Sequence, residues 1–359
     1  MSELRKDPIV DRWVIIATER GHRPSDFPVQ PPGPNAGGAS CPLCEGSELK
    51  TPPEVWSIRD DGSAPNTPGW QVRVVPNKFP ALQIEGSVNR RGLGIFDLMD
   101  GVGAHEVIVE APEHSWTYAD GPAEKVELSL RAAQARLTDL YRDQRFRYAV
   151  IFRNYGPQAG ASLDHPHSQI IAVPITPKRV KEELIASREY YARKERCIFC
   201  DVIQQEQLLG DRIVIDRDQY VALAPFASRF PFELIIYPKR HHHDFRSLDD
   251  AQRRGLAEIM HDCLRYIRTA LGNPSYNFVV YTSPNTVVRR GKPNQWGTID
   301  VDYHWHIEFL PRVTRIAGFE WGTDFYINPV APEAATQYLR EIMADEAQAR
   351  QSEGALVHG

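Results

Sequence analysis

The sequence lacks long apolar runs and clusters of basic residues. No segment of its 359 residues approaches the ~18 consecutive apolar residues that a membrane-spanning helix needs, and the N-terminal MSELRKDPIV carries charges with no apolar stretch behind it. The formal net charge is -5, and no Lys/Arg-rich run offsets it, which argues against a surface for nucleic acid. We therefore expect a cytoplasmic protein whose partners are small molecules, with no membrane or nucleic acid among them.

Cysteine is also scarce, but its placement is informative. Four of the five cysteines form two CxxC pairs, Cys41 and Cys44 in CPLC and Cys197 and Cys200 in CIFC. Disulfides are rare in the cytoplasm, so each pair is typical of a zinc site or of a redox dithiol. A redox motif would lie where a strand meets a helix, whereas CPLC follows a Pro- and Gly-rich segment at residues 24–38, and this favours zinc.

The chain is too long for one ordinary core, and its motifs recur. CPLC, HEVIVEAPEHS, YAVIFRNYG and HPHSQIIAVP in the first half are matched in order by CIFC, FELIIYPKRHH, YNFVVYTSP and YHWHIEFLPR in the second. Alternating apolar residues predict strands, and helical spacing marks AEKVELSLRAAQARLTDLYRDQ and DDAQRRGLAEIMHDCLRYIRTAL. The sequence therefore predicts an α+β fold of two tandem halves, each an antiparallel sheet with helices packed on it, with domains at 1–188 and 189–359.

The repeat supplies further ligands for both cysteine pairs. Two cysteines and two histidines make a closed tetrahedral set, which is the pattern of a structural zinc. In the second half the run HHH at 241–243 leaves the choice of histidine open, and iron is an alternative to zinc there. The predicted sets are Cys41, Cys44, His114 and His165 in the first half, and Cys197, Cys200, His241 and His304 in the second.

Six motifs carry a resemblance to a known family. RGHRP, NKF, RNYGPQAGAS, HPHSQ, YHWH and AGFE occur in one order along nearly the whole chain. The chain resembles the galactose-1-phosphate uridylyltransferase branch of the histidine-triad superfamily. The resemblance implies two tandem histidine-triad-like halves, and it implies that the second histidine of HPHSQ, His167, is a nucleophile.

The residues of HPHSQ suit nucleotidyl transfer in their own right. With an unperturbed pKa near ~6.5, much of an imidazole is neutral at pH 7 and can attack phosphorus without a separate strong base. On an extended segment His165 and His167 project the same way, so one can be held by a metal while the other faces substrate. Gln169 cannot protonate a leaving group but can hydrogen-bond phosphoryl oxygens, which favours transfer over hydrolysis.

The resemblance implies several binding positions as well. Arginines suit the nucleotide phosphates, an asparagine lies beside the base, and glycines allow a close backbone approach. At the sugar end this sequence departs from the familiar pattern, with Thr314 and Arg315 before AGFE. The implied residues are Arg20, Arg23 and Asn77 at the nucleotide, Asn154, Gly156 and Ser162 at the phosphates, and Phe319 and Glu320 at the sugar end.

The implied activity is that of a UDP-glucose:hexose-1-phosphate uridylyltransferase. It would work through a uridylyl-His167 intermediate, with a nucleotide sugar and a hexose 1-phosphate as partners and a homodimer as the assembly. The segment AGFEWGTDFYINP and the serine after His167 also resemble ADP-glucose phosphorylase-like relatives, which transfer an adenylyl group to phosphate. A zinc-dependent binding protein without catalysis is a third alternative, against which Ser162 and Gln169 speak.

Overall fold

The computed structural model describes residues 2–20, 40–60, 62–287 and 296–357. None of the helices in these ranges is both long and apolar enough to span a lipid bilayer. The strands are β1 Glu3–Lys6, β2 Trp13–Ile16, β3 Trp56–Arg59, β4 Trp70–Pro76, β5 Arg91–Leu93, β6 Phe96–Leu98, β7 Ala104–Val109, β8 Tyr148–Tyr155, β9 His167–Val173, β10 Ile213–Asp216, β11 Tyr220–Leu223, β12 Leu234–Pro238, β13 Tyr276–Tyr281, β14 His306–Pro311 and β15 Tyr326–Asn328. The helices are α1 Ala123–Leu140, α2 Lys178–Lys194, α3 Ile198–Leu209, α4 Asp250–Leu271, α5 Ile299–Asp302, α6 Gly318–Thr323 and α7 Pro332–Val357.

Ten of the described strands form one sheet. Their order is β10-β11-β12-β14-β13-β8-β9-β7-β4-β3, and every neighbouring pair is antiparallel. The order is symmetric about its centre, because β8 and β13 are the corresponding strands of the two halves and pair with each other. The predicted α+β class and the antiparallel sheets are confirmed, but the two five-stranded halves join edge to edge in a single sheet.

Helices α1 and α4 cover one face of this sheet across both halves. On β9, Ile170 and Ala172 belong to the core under these helices, so His167 and Gln169 point to the opposite face. Helix α4 begins at a capping box in which the Asp249 carboxylate accepts from the Gln252 N–H at 2.8 Å. The buried side chains of α4 recur at helical spacing and include Leu256, Ile259, Met260, Cys263, Leu264 and Ile267.

The opposite face is covered unevenly. Over the second half, α2 and α3 bury Val180, Leu184 and Phe199 against Val221 and Tyr237 of the sheet. Over the first half, the same face of β7 and β9 stays partly exposed. Burial of the α2 side chains removes apolar surface from water at roughly 25 cal/mol per Å2, which holds this helix on the second half.

A small three-stranded sheet joins the two N-terminal strands to β15, the last strand before α7. Strand β2 pairs antiparallel with β1 and parallel with β15. Val14 and Ile16 pack there with Tyr326, and α6 contacts β15. The predicted domain boundary at residue 188 lies inside α2, and the division of the chain at that position stays a prediction.

We predict that the two halves do not fold separately. Residues 1–177 alone would expose the edge of β8 that pairs with β13, and an unpaired central strand promotes aggregation. We expect neither this fragment nor residues 178–359 to show a cooperative thermal transition by circular dichroism when expressed alone, and we expect the two to copurify when coexpressed. Two independent cooperative transitions would contradict this prediction.

Candidate active site and metal-binding groups

The first CxxC pair lies beside two histidines in the structure. Cys44 Sγ is 3.2 Å from His114 Nδ1 and 3.5 Å from His165 Nδ1. Together with Cys41 these residues present four ligand atoms that all lie within 4.8 Å of one another. His165 Nε2 is 2.8 Å from the Ala111 carbonyl, which can only accept, so Nε2 carries the proton and Nδ1 is free to bind a metal ion.

The second pair forms the same kind of group. Its members are Cys197, Cys200, His241 and His304. Cys200 Sγ lies 3.4 Å from His241 Nδ1 and 3.6 Å from His304 Nδ1. The Nε2–H groups of the two histidines donate to the carbonyls of Asp300 at 3.0 Å and Pro238 at 2.7 Å. His165, His241 and His304 therefore present their imidazoles in the tautomer that a metal ion requires.

Of the three consecutive histidines, His241 faces the cysteines. His242 is used elsewhere, because its Nδ1 accepts the indole N–H of Trp305 at 2.9 Å and its Nε2 lies 3.3 Å from the Ser247 hydroxyl. Of the three candidates, the structure brings His241 into the four-residue group, and Trp305 holds His242 away from it.

His167 is the first residue of β9 and is oriented by the backbone of His165. Its Nδ1 lies 2.7 Å from the His165 carbonyl, which can only accept, so Nδ1 carries the proton and Nε2 keeps its lone pair. Burial lowers the pKa of His167 and favours the neutral ring. The arrangement thus places an unprotonated ring nitrogen next to a residue of the first Cys2His2 group.

A cavity of about 200 Å3 lies beside His167. Asn154 and Gly156 line it at the end of β8, and Asp164 lines it from the loop before His165. Gly156 has a φ of +78°, a conformation that L side chains rarely adopt, so a glycine is required at this turn.

Arg153 lines this cavity as well, and sequence reasoning missed it. Its side chain is 2% exposed, its Nη1 donates to the Tyr276 hydroxyl at 2.7 Å, and its Nη2 lies 3.2 Å from Glu110. The guanidinium also lies 4.4 Å over the Tyr118 ring. The sequence sign of this role is an arginine inside the largely apolar strand segment YAVIFRNY.

Gln169 lies on the exposed face of β9, in contact with a second residue that sequence reasoning missed. His105 Nε2 is 2.7 Å from Gln169 Oε1, and Asn77 Nδ2 lies 3.1 Å from the same ring nitrogen. The structure thus brings together Asn77 and Gln169, which the sequence predicts for different roles. His105 was part of HEVIVE, a segment that predicts only a strand.

The other predicted residues are less closely grouped. Asn154 Oδ1 accepts from Asn277 Nδ2 at 2.7 Å, and Asn277 is its partner across the central strand pair. Ser162 is exposed in the loop that leads to His165. The Arg20 side chain and all of Arg23 lie outside the described residues. Phe319 and Glu320 lie on α6, beside the small sheet.

The second half has a counterpart of this site, but side chains of the chain itself occupy it. His306 takes the place of His167, and Glu308 takes the place of Gln169. Glu308 forms ion pairs with Arg229 at 2.9 Å and with Arg179 of α2. These two guanidiniums occupy the side of the strand on which the first half has its exposed glutamine.

The His306 ring is enclosed as well. It stacks on Tyr281 with 4.9 Å between ring centroids, and its Nε2 lies 4.0 Å from Glu183 of α2. Burial lowers the pKa of His306 to about 4 and raises the pKa of Glu183 to about 8. Helix α2 thus covers His306, whereas His167, which is 6% exposed, lines the cavity of the first half.

Two family descriptions match the chain. Residues 1–177 match "Galactose-1-phosphate uridyl transferase, N-terminal domain", and residues 103–359 match a domain of unknown function, DUF4921. The chain is 34% identical over 344 residues to ADP-glucose phosphorylase from Arabidopsis thaliana, covering 95% of this chain and 93% of that protein. It is 30% identical over 351 residues to galactose-1-phosphate uridylyltransferase from Thermotoga maritima, covering 95% and 98%.

Solved structures of similar proteins share the fold. A crystal structure of the Arabidopsis thaliana ADP-glucose phosphorylase with bound ADP-glucose matches with a TM-score of 0.79 at 32% identity, covering 95% of this chain and 98% of that one. A uridylyltransferase structure matches with a TM-score of 0.71 at 25% identity, covering 96% and 99%. Because these matches extend over nearly the whole length of both chains, the protein belongs to the galactose-1-phosphate uridylyltransferase family and is an enzyme of the nucleotidyltransferase class.

Proposed function

We propose that this enzyme transfers a nucleotidyl group from a nucleotide sugar to a second phosphate compound through a covalent intermediate on His167. The observation that carries the proposal is the hydrogen bond from His167 Nδ1 to the His165 carbonyl at 2.7 Å. It leaves the Nε2 lone pair available beside a cavity lined by Asn154 and Gly156. An oriented, neutral imidazole of this kind is a suitable nucleophile for phosphorus.

The two half-reactions follow from this arrangement. Nε2 attacks the α-phosphorus, a P–N bond forms, and the P–O bond to the sugar phosphate breaks, so the sugar 1-phosphate leaves as an anion. Positive charge develops on the ring meanwhile, and the hydrogen bond from Nδ1 to the His165 carbonyl stabilises it. A phosphate oxygen of the acceptor then attacks the same phosphorus, the P–N bond breaks, and neutral His167 is restored.

Two further groups support the charge on the transferring phosphoryl group. Arg153 lines the cavity from the helix-covered face of β8, where Glu110 and Tyr276 fix its guanidinium, so its charge acts on the phosphoryl group from a distance. Gln169, two residues from His167 on the same face of β9, can donate from its amide to phosphoryl oxygens. A sugar phosphate leaves without needing a proton, so an amide suffices at this position and transfer is favoured over hydrolysis.

We also propose that both Cys2His2 groups hold zinc. In a tetrahedral site with Zn–N bonds of ~2.0–2.1 Å, two imidazole nitrogens lie about 3.3 Å apart, and His114 Nδ1 and His165 Nδ1 are 3.3 Å apart. Zinc with four protein ligands supplies a structural link and no open coordination position. The residues of the first group would then keep the His165 carbonyl where His167 needs it.

Two substrate pairs fit this chemistry. The first is UDP-glucose with a hexose 1-phosphate such as galactose 1-phosphate, which the N-terminal family match and the Thermotoga maritima relative support. The second is ADP-glucose with phosphate, which the identity to the Arabidopsis thaliana enzyme and the fold match to its complex with ADP-glucose support. Both pairs use the same histidine and the same leaving group.

The assembly that we propose is a homodimer. Helix α6 exposes Phe319 at 45% and Trp321 at 78%, and an exposed apolar pair next to a proposed sugar-binding glutamate is surface that a second copy could cover. Sedimentation of the purified enzyme measures the assembly directly. A monomer at all concentrations would reject the homodimer without affecting the proposed chemistry.

The covalent intermediate can be tested with labelled donor. Incubation with a nucleotide sugar labelled in its α-phosphate, without acceptor, should leave about one label per chain, stable to alkali and labile to acid, as expected for a phosphoramidate. His167→Ala should abolish the label and lower kcat about 10⁶-fold, as loss of a covalent nucleophile does. His261→Ala, on α4, is the matched control and should label normally. Label that persists in His167→Ala would place the nucleophile elsewhere.

The metal proposal predicts different outcomes for neighbouring histidines. Elemental analysis should find two zinc ions per chain, and it also distinguishes zinc from iron in the second group. His241→Ala should remove about one equivalent and lower the melting temperature, because metal binding contributes to folding free energy. His242→Ala should keep both ions. Cys41→Ser should remove the ion of the first group. Equal metal content in His241→Ala and wild type would contradict the second site.

A direct competition identifies the substrates. We would measure kcat/KM for UDP-glucose with galactose 1-phosphate and for ADP-glucose with phosphate, using one enzyme preparation and measuring release of glucose 1-phosphate. We expect one pair to exceed the other by at least about 100-fold, since a site that hydrogen-bonds one base leaves polar groups unpaired with the other. Failure of both pairs, with His167 unlabelled, would reject the proposed function.

A further inference from the structure

We propose that His105 is a positioning residue that decides which end of the Gln169 amide faces the reacting phosphate. The inference rests on the proposed function, in which Gln169 donates to phosphoryl oxygens. It concerns an amide whose oxygen and nitrogen ends have almost the same shape. Rotation about the last side-chain bond of a glutamine exchanges the two ends, and only one of them can donate.

The tautomer of His105 follows from a backbone contact. The N–H of Ala81 donates to His105 Nδ1 at 3.3 Å, and a backbone N–H can only donate. Nδ1 therefore carries a lone pair, and the ring proton lies on Nε2, where Gln169 Oε1 at 2.7 Å can accept it and is closer than the Asn77 amide nitrogen at 3.1 Å. His105 thus presents a donor, and not an acceptor, to the residues around Nε2.

Gln169 Oε1 accepts this proton. The distance from His105 Nε2 to Gln169 Oε1 is 2.7 Å, which is short and well within hydrogen-bond range. The other neighbour, Asn77, cannot compete: its Oδ1 accepts from the Phe79 N–H at 2.9 Å, so its Nδ2 faces His105 Nε2 at 3.1 Å as a second donor. The proton of His105 is therefore directed to the glutamine.

The consequence is a fixed orientation of the Gln169 amide. With Oε1 held by His105, the NH2 end is turned away from the imidazole, and within the described part of the chain it has no hydrogen-bond partner. This end is then free to donate to an anionic oxygen of the substrate. If the amide rotated, Oε1 would face the same anion, and the contact would become repulsive.

The sheet holds the two residues in register. Val107 of β7 pairs with Gln169 of β9, so His105 lies two residues along the neighbouring strand, on the same face. Side chains in this diagonal position lie close enough for long residues to touch. The His105 carbonyl also accepts from the Asn77 N–H at 2.8 Å, which ties β7 to the segment with the predicted nucleotide residue.

The first test uses two substitutions at one position. His105→Phe keeps a ring of similar shape and removes the donor, and His105→Gln keeps a side-chain N–H that can reach Gln169. We expect His105→Phe to lower kcat about 10- to 100-fold, somewhat less than the ~10²- to 10³-fold loss of a whole donor. KM should change by less than about threefold, because the interaction matters in the transition state. His105→Gln should recover most of kcat.

The second test asks whether His105 acts through Gln169. In a Gln169→Ala background, His105→Phe should cost no further activity beyond about twofold, since the group that it orients is absent. Losses that multiply in the double variant would overturn the proposal, as would an unchanged kcat in His105→Phe or equal losses in His105→Phe and His105→Gln. Melting temperatures by circular dichroism check folding, and His105→Leu replaces the phenylalanine variant if that one does not fold.

Failure of this inference is distinguishable from failure of the proposed function. The single-turnover rate of His167 labelling is measured in all variants with the labelled nucleotide sugar. If wild type labels on His167 but His105→Phe labels at the wild-type rate, the positioning role is wrong and the nucleophile stands. If Gln169→Ala itself labels and turns over normally, the assigned role of the glutamine is wrong, and the inference falls with it.

Discussion

The hydrogen bond between His167 Nδ1 and the carbonyl of His165 is the interaction on which the rest of the site depends. It fixes the ring tautomer, and it couples the ring to a residue whose own imidazole lies among the cysteines of the first group. The carbonyl can hold the ring only if the backbone of His165 is rigid. The Cys2His2 group, the start of β9 and the pairing of β9 with β7 and β8 all provide that rigidity.

The five-stranded unit with its Cys2His2 group occurs twice, but the two copies differ in the side chains that lie on the face opposite α1 and α4. Both halves contribute five strands around the central pair of β8 and β13, and both carry a Cys2His2 group. In the second half, Arg179 and Arg229 neutralise Glu308, and α2 covers His306. In the first half, the corresponding face keeps an amide at Gln169 and is left partly exposed. The fold supplies the same scaffold twice, and local side chains decide which copy keeps an open face.

Much of this could be predicted from sequence because it depends on local patterns. Alternation predicted strands such as β7 and β13, helical spacing predicted α1 and α4, and the order of motifs predicted which cysteines and histidines meet. The joining of the halves into one sheet could not be predicted, because the edge pairing of β8 with β13 leaves no periodic signal. His105 and Arg153 were missed for a similar reason: their roles arise from contacts across strands, and each sits in a segment whose pattern predicts only a strand.

The ion pairs at Glu308 and the cover of α2 over His306 give the second half a different role from the first. In the first half the amide nitrogen of Gln169 has no hydrogen-bond partner within the described part of the chain, and a donor left unpaired costs stability. In the second half, Arg179 of α2 and Arg229 pair with Glu308 at the corresponding position, so the chain fills this position itself. The second half can thus support the first through the pairing of β13 with β8, while the first half keeps an unfilled cavity beside His167.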